Sequence, residues 1–471
     1  MRHEQRAAFR ASPEERARLH AVEHPEVTNL ATAENVLIFD HLKAQLRDAS
    51  DLAVDHTRYN TTAWGSERLR GHIAAFLSES YGLATPLGAD DVIGLAGVSA
   101  ALEALAFTET IFPDMGLGHG HGKVLLPTPC WQGFEWAFHY RAGHQILKVP
   151  VAPDRFELSL AELQDAYERA PEPKPRLLAL THPHNPLGIN YSQGFLESLF
   201  TWVLDRTEMH IVSDEIYAHS QIQPVQTHPF VSALKLDVYQ HHQAAKKRIH
   251  AVWGFAKDFG LSGFKAGFLI TQNPAVRTEI TARRMAWMSP IDSLKEFMLE
   301  KLAAPPGLLL QLIDTYRGQL AVAHRQVRSS LDDYRIPYFT GIEAGQCFWL
   351  DLRKYMGLEI ILDPSQRPAH RASRPSSRHL AEGPNASLYP ELDSDDEKRL
   401  DGYFKDHAQV LLLPGQILSN PVPGFFRLCF TAEPADRVIA AIRRMHNQVL
   451  SRLTPPRRKP PTSGPPPFVD Y

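Results

Sequence analysis

Cysteine is scarce: the 471 residues hold three, Cys130, Cys347 and Cys429, scattered and odd in number. That excludes a disulfide framework or a C-x-x-C redox pair and fits a reducing compartment. No apolar run reaches transmembrane length, and the opening Met1-Arg2-His3-Glu4-Gln5-Arg6 leads into no apolar signal core. Net charge is only -3, so composition draws the chain neither to nucleic acid nor to a membrane surface. The rest is ordinary for a globular chain: 44% hydrophobic and 22% charged, with length for one large domain and a smaller one. The expectation is a soluble, cytoplasmic protein without membrane or nucleic-acid partners.

What is present centres on one stretch, Val252-Trp253-Gly254-Phe255-Ala256-Lys257-Asp258-Phe259-Gly260. An apolar run, Ile249 to Trp253, reads as a buried strand and then breaks into small residues around one lysine. Small neighbours leave room for a flat ligand, and a lysine in a pocket can attack a carbonyl. Alone, Lys257 reads as a solvated lysine at a turn, since most lysines are exposed. Its company argues otherwise. Asn185-Pro186-Leu187-Gly188 and Ser213-Asp214-Glu215-Ile216-Tyr217 each follow an apolar run, and Phe426-Arg427-Leu428-Cys429-Phe430 lies downstream. Val92 to Gly97, then a helix from Val98 and Ser99, makes a strand, turn and helix N-terminus suited to a phosphate. Gly116 to Lys123 is no P-loop, because Val124 stands where Ser or Thr is needed, and His119 and His121 read as loop residues. His182 and His184 also lack a third ligand, so no metal site is expected.

Strands and helices alternate, with about seven strands in the middle of the chain. That predicts α/β architecture with a mostly parallel sheet. Ser12-Pro13-Glu14-Glu15 has the cap, proline and acidic first turn of a helix start. Val410 to Gln416 reads as one strand. Residues 362–395 lack apolar periodicity and read as a disordered insertion; 454–471, rich in proline, reads as a disordered tail.

Together, Asn185-Pro186, Asp214 to Tyr217, Lys257 and Arg427 resemble the pyridoxal-phosphate enzymes of fold type I, the class I/II aminotransferases. The resemblance is greatest to the branch of 1-aminocyclopropane-1-carboxylate synthase, and Gly65-Ser66-Glu67-Arg68-Leu69-Arg70 is similar to its fungal members. It implies a large cofactor domain at 59–304 and a small domain from 27–58 and 305–453. It also implies an N-terminal arm at 1–26 packed on the partner of a homodimer. By the same resemblance Lys257 joins pyridoxal 5'-phosphate as a Schiff base and shuttles the α proton. Asp214 pairs with the pyridine nitrogen, Asn185 and Tyr217 hold the 3-oxygen, and Trp131 stacks on the ring. Val98 and Ser99 seat the phosphate, with Lys265 beside it, and Arg427 grips the substrate carboxylate. Glu34 reads either as a residue facing the site or as a helix cap.

Three of the family's phosphate contacts are altered. Gly254 stands for a serine, Lys265 for an arginine and Ala63 for the partner's aromatic, which predicts weaker cofactor retention. The activity expected first is an aminotransferase, exchanging amino and keto acids, in fungal secondary metabolism. The alternatives are a lyase on the same cofactor (a carbon–sulfur lyase or the cyclising synthase) and a non-catalytic relative.

Overall fold

The computed structural model describes residues 12–48, 50–60, 62–113, 122–152, 156–222, 224, 227–282, 289–360 and 393–454. Helix α1 (Pro13–Glu23) begins where the sequence predicts. Ser12 Oγ accepts the Glu15 N–H at 3.2 Å, and Glu15 Oε2 accepts the Ser12 N–H at 2.7 Å, a reciprocal cap that satisfies two donors. Strand β1 (Thr28–Asn29) and helices α2 (Phe39–Leu46) and α3 (Glu67–Tyr81) follow. Gly82, in the left-handed region at φ 62°, ends α3.

Seven strands then form the main sheet: β2 (Val92–Leu95), β3 (Lys123–Thr128), β4 (Gln145–Pro150), β5 (Leu177–Thr181), β6 (His210–Asp214), β7 (Ile249–Gly254) and β8 (Gly267–Ile270). Their order is β2-β8-β7-β6-β5-β3-β4. All neighbours run parallel except β8, which is antiparallel to both β2 and β7. The inner strands are buried along their whole length, as helices on both faces require, which is why they read as unbroken apolar runs. Edge strand β4 instead leaves Gln145, Lys148 and Pro150 exposed and buries only Val149.

Both chain ends build the smaller α/β domain. Strand β9 (Cys347–Asp351) is followed by β10 (Glu359–Ile360), β11 (Val410–Leu411), β12 (Leu413–Pro414), β13 (Phe425–Cys429) and β14 (Leu453–Thr454). β13 lies between β12 and β9 with both pairings antiparallel, while β1 pairs with β11 in parallel. The predicted single strand at Val410–Gln416 is therefore corrected. Its two halves hydrogen-bond to different sheets, and its end, Gly415–Leu418, turns as a 3-10 helix. The predicted insertion and tail lie mostly outside the described residues. Their described margins are ordered: Asp393 caps a helix from Ser394, and Thr454 pairs with Glu359. Cys130, Cys347 and Cys429 are free and buried. Among the described residues no helix is long and apolar enough to cross a membrane.

Candidate active site

Four parallel strands deliver their carboxyl ends to one edge of the main sheet, where open α/β sheets bind ligands. A cavity of about 460 Å³ opens there. β5 leads to Asn185, β6 ends at Asp214, the turn after β7 carries Lys257, and the turn after β3 carries Trp131. Tyr217, Val98, Ser99, Lys265, Glu34 and Arg427 complete the set; of the positions read as altered phosphate contacts, Lys265 lines the cavity and Ala63 and Gly254 do not.

The turn bearing Lys257 is pinned through its backbone. The Lys257 carbonyl accepts from Asn35 Nδ2 at 2.9 Å and from Gln346 Nε2 at 2.8 Å. Next to it, buried Asp258 accepts from Ser220 Oγ at 2.6 Å, the His219 N–H at 3.2 Å and Trp253 Nε1 at 3.3 Å. Lys257 Nζ itself donates to the Ala33 carbonyl at 2.5 Å. The side chain is thus held at its root by both domains while its amine reaches the cavity wall.

Asp214 is buried, and among the described residues its carboxylate has one hydrogen-bond partner, the Ile216 N–H at 3.3 Å. Burial pushes its pKa up to about 7, against smaller lowering effects of Ile216 and Lys257. A dry carboxyl without a hydrogen-bonded cation is the counterpart that a protonated ring nitrogen requires. Burial likewise raises the Tyr217 phenol well above its ordinary range.

At the far end, Gly97 caps α4 (Val98–Ala106) at φ 92°, and no side chain caps the helix. Its first turn therefore faces the cavity with free donors and the positive end of the helix dipole, flanked by Lys265 and Ser289. Close packing makes this approach possible. A Cβ on Gly267 would meet Val98 N at 2.4 Å, and one on Gly254 would meet the Ala266 carbonyl at 2.6 Å. The glycine in place of a serine at 254 is thus set by the contact between β7 and β8. An anion cradle, an aromatic wall at Trp131 and an unpaired acid fit pyridoxal phosphate in size and chemistry.

Arg427 is fully buried. Nη1 donates to Asn185 Oδ1 at 3.2 Å, and Nη2 donates to the Ala31 carbonyl and to Glu14 Oε1, both at 2.8 Å. Glu34 accepts from Ser262 Oγ at 2.6 Å and lines the cavity. Sequence reasoning missed Glu14, Glu15 and Arg18 of α1, and also Glu103, Trp136 and Ser289, all of which line the cavity. The predicted helix start at Ser12 was a signal for the element but not for its place. His182 and His184 lie in the loop after β5 and are buried against Tyr191, and burial lowers their pKa values to about 3 and about 4.

The aminotransferase class I and II family profile matches residues 25–442. The chain is 30% identical to 1-aminocyclopropane-1-carboxylate synthase 5 of Oryza sativa subsp. japonica over 72% of its own length and 63% of the rice protein. It is 27% identical to rice 1-aminocyclopropane-1-carboxylate synthase 3, over 89% of this chain and 86% of that one. It is also 27% identical to a mouse protein described as a probable inactive 1-aminocyclopropane-1-carboxylate synthase-like protein 2, over 70% and 55%. The match thus spans less than two thirds of the rice synthase 5 and of the mouse protein. In fold it is similar to Thermus thermophilus aspartate aminotransferase with maleate, at TM-score 0.70 and 18% identity over 94% of this chain and 98% of that one. An aromatic aminotransferase from Pyrococcus horikoshii gives 0.67 and 19% over 92% and 98%. The altered phosphate contacts notwithstanding, the chain belongs to the class I and II aminotransferases, enzymes of fold type I that work with pyridoxal phosphate.

Proposed function

We infer that this enzyme is a lyase of the 1-aminocyclopropane-1-carboxylate synthase type, acting on an α-amino acid that carries a leaving group beyond its β carbon. The observation that carries the reading is the placement of charge on the cavity wall. The wall carries Arg18, Lys257, Lys265 and Arg427 as well as acids; Glu14 is paired with Arg427 and Glu103 with Arg141, which leaves Glu15 and Glu34 besides Asp214 on the acidic side, with Glu34 held in place by Ser262. The fixed Glu34 carboxylate disfavours a second substrate carboxylate beside it and favours a neutral or cationic leaving group there. The names of the rice relatives support the same reaction class.

In this reading Arg427 and Asn185 grip the α-carboxylate and set the orientation of the α carbon. The Lys257 amine, anchored through its own carbonyl, takes the α proton and returns one later. Asp214 stays ionised against the ring nitrogen, Tyr217 and Asn185 address the 3-oxygen, Trp131 covers one ring face, and the α4 N-terminus with Lys265 holds the phosphate. Bound pyridoxal phosphate supplies the electron sink for the carbanion. A homodimer is part of the proposal, supported by apolar side chains left on the surface, among them Tyr59 at 99% exposure and Val54 at 66%.

The second reading is an aminotransferase, supported by the family and by Arg18 on the cavity wall, a cation that could meet a second carboxylate. Incubating the holoenzyme with a panel of amino acids separates the two. Release of the leaving group, with ammonia or a cyclised amino acid, supports the lyase. Conversion of the cofactor to its amine form with an equivalent of keto acid replaces it with the aminotransferase.

A further inference from the structure

The residue against Arg427 is supplied by the chain itself. Glu14, in the first turn of α1, lies 413 positions away in sequence and 2.8 Å away in space. Arg427 is 1% exposed in its side chain and Glu14 12%, so the pair is withdrawn from water. Both hydrogens of Nη2 are committed, one to Glu14 and one to the Ala31 carbonyl, and buried Nε has no hydrogen-bond partner among the described residues. A ligand carboxylate that needs a two-pronged grip therefore meets a guanidinium already neutralised by another carboxylate. Placing both acids on one buried cation leaves a net negative charge out of water, which is costly. One of them has to leave.

The helix that carries Glu14 is lightly anchored. Ala17 is its one buried residue, whereas Leu19 and Val22 are 57% and 77% exposed. Its first turn, with Ser12, Glu15 and Arg18, lines the cavity beside Glu14. Little apolar surface is lost when that turn moves away.

We propose that Glu14 is an internal competitor for the carboxylate subsite: its carboxylate occupies the Arg427 subsite until the α-carboxylate of a ligand displaces it and moves the first turn of α1 off the cavity. The inference rests on Arg427 as the carboxylate anchor of the reading above. It lowers the affinity of every ligand that carries an α-carboxylate by the cost of displacing Glu14, and leaves that of a plain amine, which does not compete for Arg427, untouched.

The test is equilibrium binding to the holoenzyme of 2-aminoisobutyrate, which lacks an α hydrogen, and of isopropylamine, the same skeleton without its carboxylate. Cofactor absorbance reads binding, and hydrogen exchange of the α1 amides reads the helix. Glu14→Gln should tighten 2-aminoisobutyrate on the order of tenfold, the scale of one charge-assisted contact, and leave isopropylamine unchanged. In the wild type, 2-aminoisobutyrate should speed exchange in α1 and isopropylamine should not. Unchanged or weaker 2-aminoisobutyrate binding in Glu14→Gln, or an equal change for both ligands, overturns the inference. Arg427→Lys keeps the two failures apart. If it weakens 2-aminoisobutyrate alone, Arg427 remains the anchor and only the role of Glu14 is lost. If it leaves both ligands unchanged, the anchor reading fails as well.

Discussion

The strand-end half of the site and the α1 half are built in opposite ways. Asp214, Lys257 and Asn185 stand at the ends of buried strands, and the Lys257 turn is fastened by Asn35 and Gln346 from distant parts of the chain. Glu14 stands on a helix with one buried residue, tied to the site by an ion pair. In the proposed function these are the groups that meet a reacting atom, and rigidity suits them because small displacements cost rate. A group that must yield to a ligand sits on an element that can leave cheaply.

The largest effect that separates the halves is at Lys257. Lys257→Ala should abolish borohydride labelling of the chain by the cofactor and lower turnover by roughly 10³-fold or more, the scale of a lost general base. Labelling that persists in the variant would remove the amine from the rigid half. Asp214→Asn comes next and has a pH signature. The folded pKa of Asp214, raised to about 7, means that the cofactor-free protein keeps a proton which the unfolded chain, titrating near the ordinary value, has released. Stability of the cofactor-free wild type should therefore fall as pH rises from about 4 to about 7. Asp214→Asn should flatten part of that fall, with the remainder due to Asp258 and Glu215, which burial also raises to about 7. Thermal melts of both proteins across this window check it; equal slopes would contradict it.

Gly254→Ser, which restores the family's serine, should lower stability by about 1–3 kcal/mol and weaken cofactor retention, because its Cβ meets the Ala266 carbonyl. Tighter retention on dialysis would show that β7 and β8 can part. Ser12→Ala is the smallest. Loss of the reciprocal cap costs α1 about 1 kcal/mol and should ease release of Glu14, giving a weaker copy of Glu14→Gln in 2-aminoisobutyrate binding. An effect on the melting temperature as large as that of Gly254→Ser would show that α1 belongs to the rigid half.

The strand-end half was legible because each of its residues carries a local mark. Asp214 ends an apolar run, Asn185 precedes a proline and a glycine-ended turn, and Lys257 sits among small residues. The meaning of Gly254 was not legible. A missing serine reads as a lost phosphate contact, whereas the pairing of Gly254 with Gly267 shows a backbone approach that excludes a side chain. Val410–Gln416 misled for a related reason: apolar periodicity does not say which sheet a strand joins.

By itself the sequence determined the cofactor chemistry and the parallel core. The first follows from the family resemblance that its short motifs carry, the second from apolar runs of strand length. Only the tertiary structure decided that the first turn of α1 meets Arg427, and that Glu34 turns inward to Ser262. Those contacts join residues hundreds of positions apart, and no local propensity encodes a distance that only the packing of two domains creates.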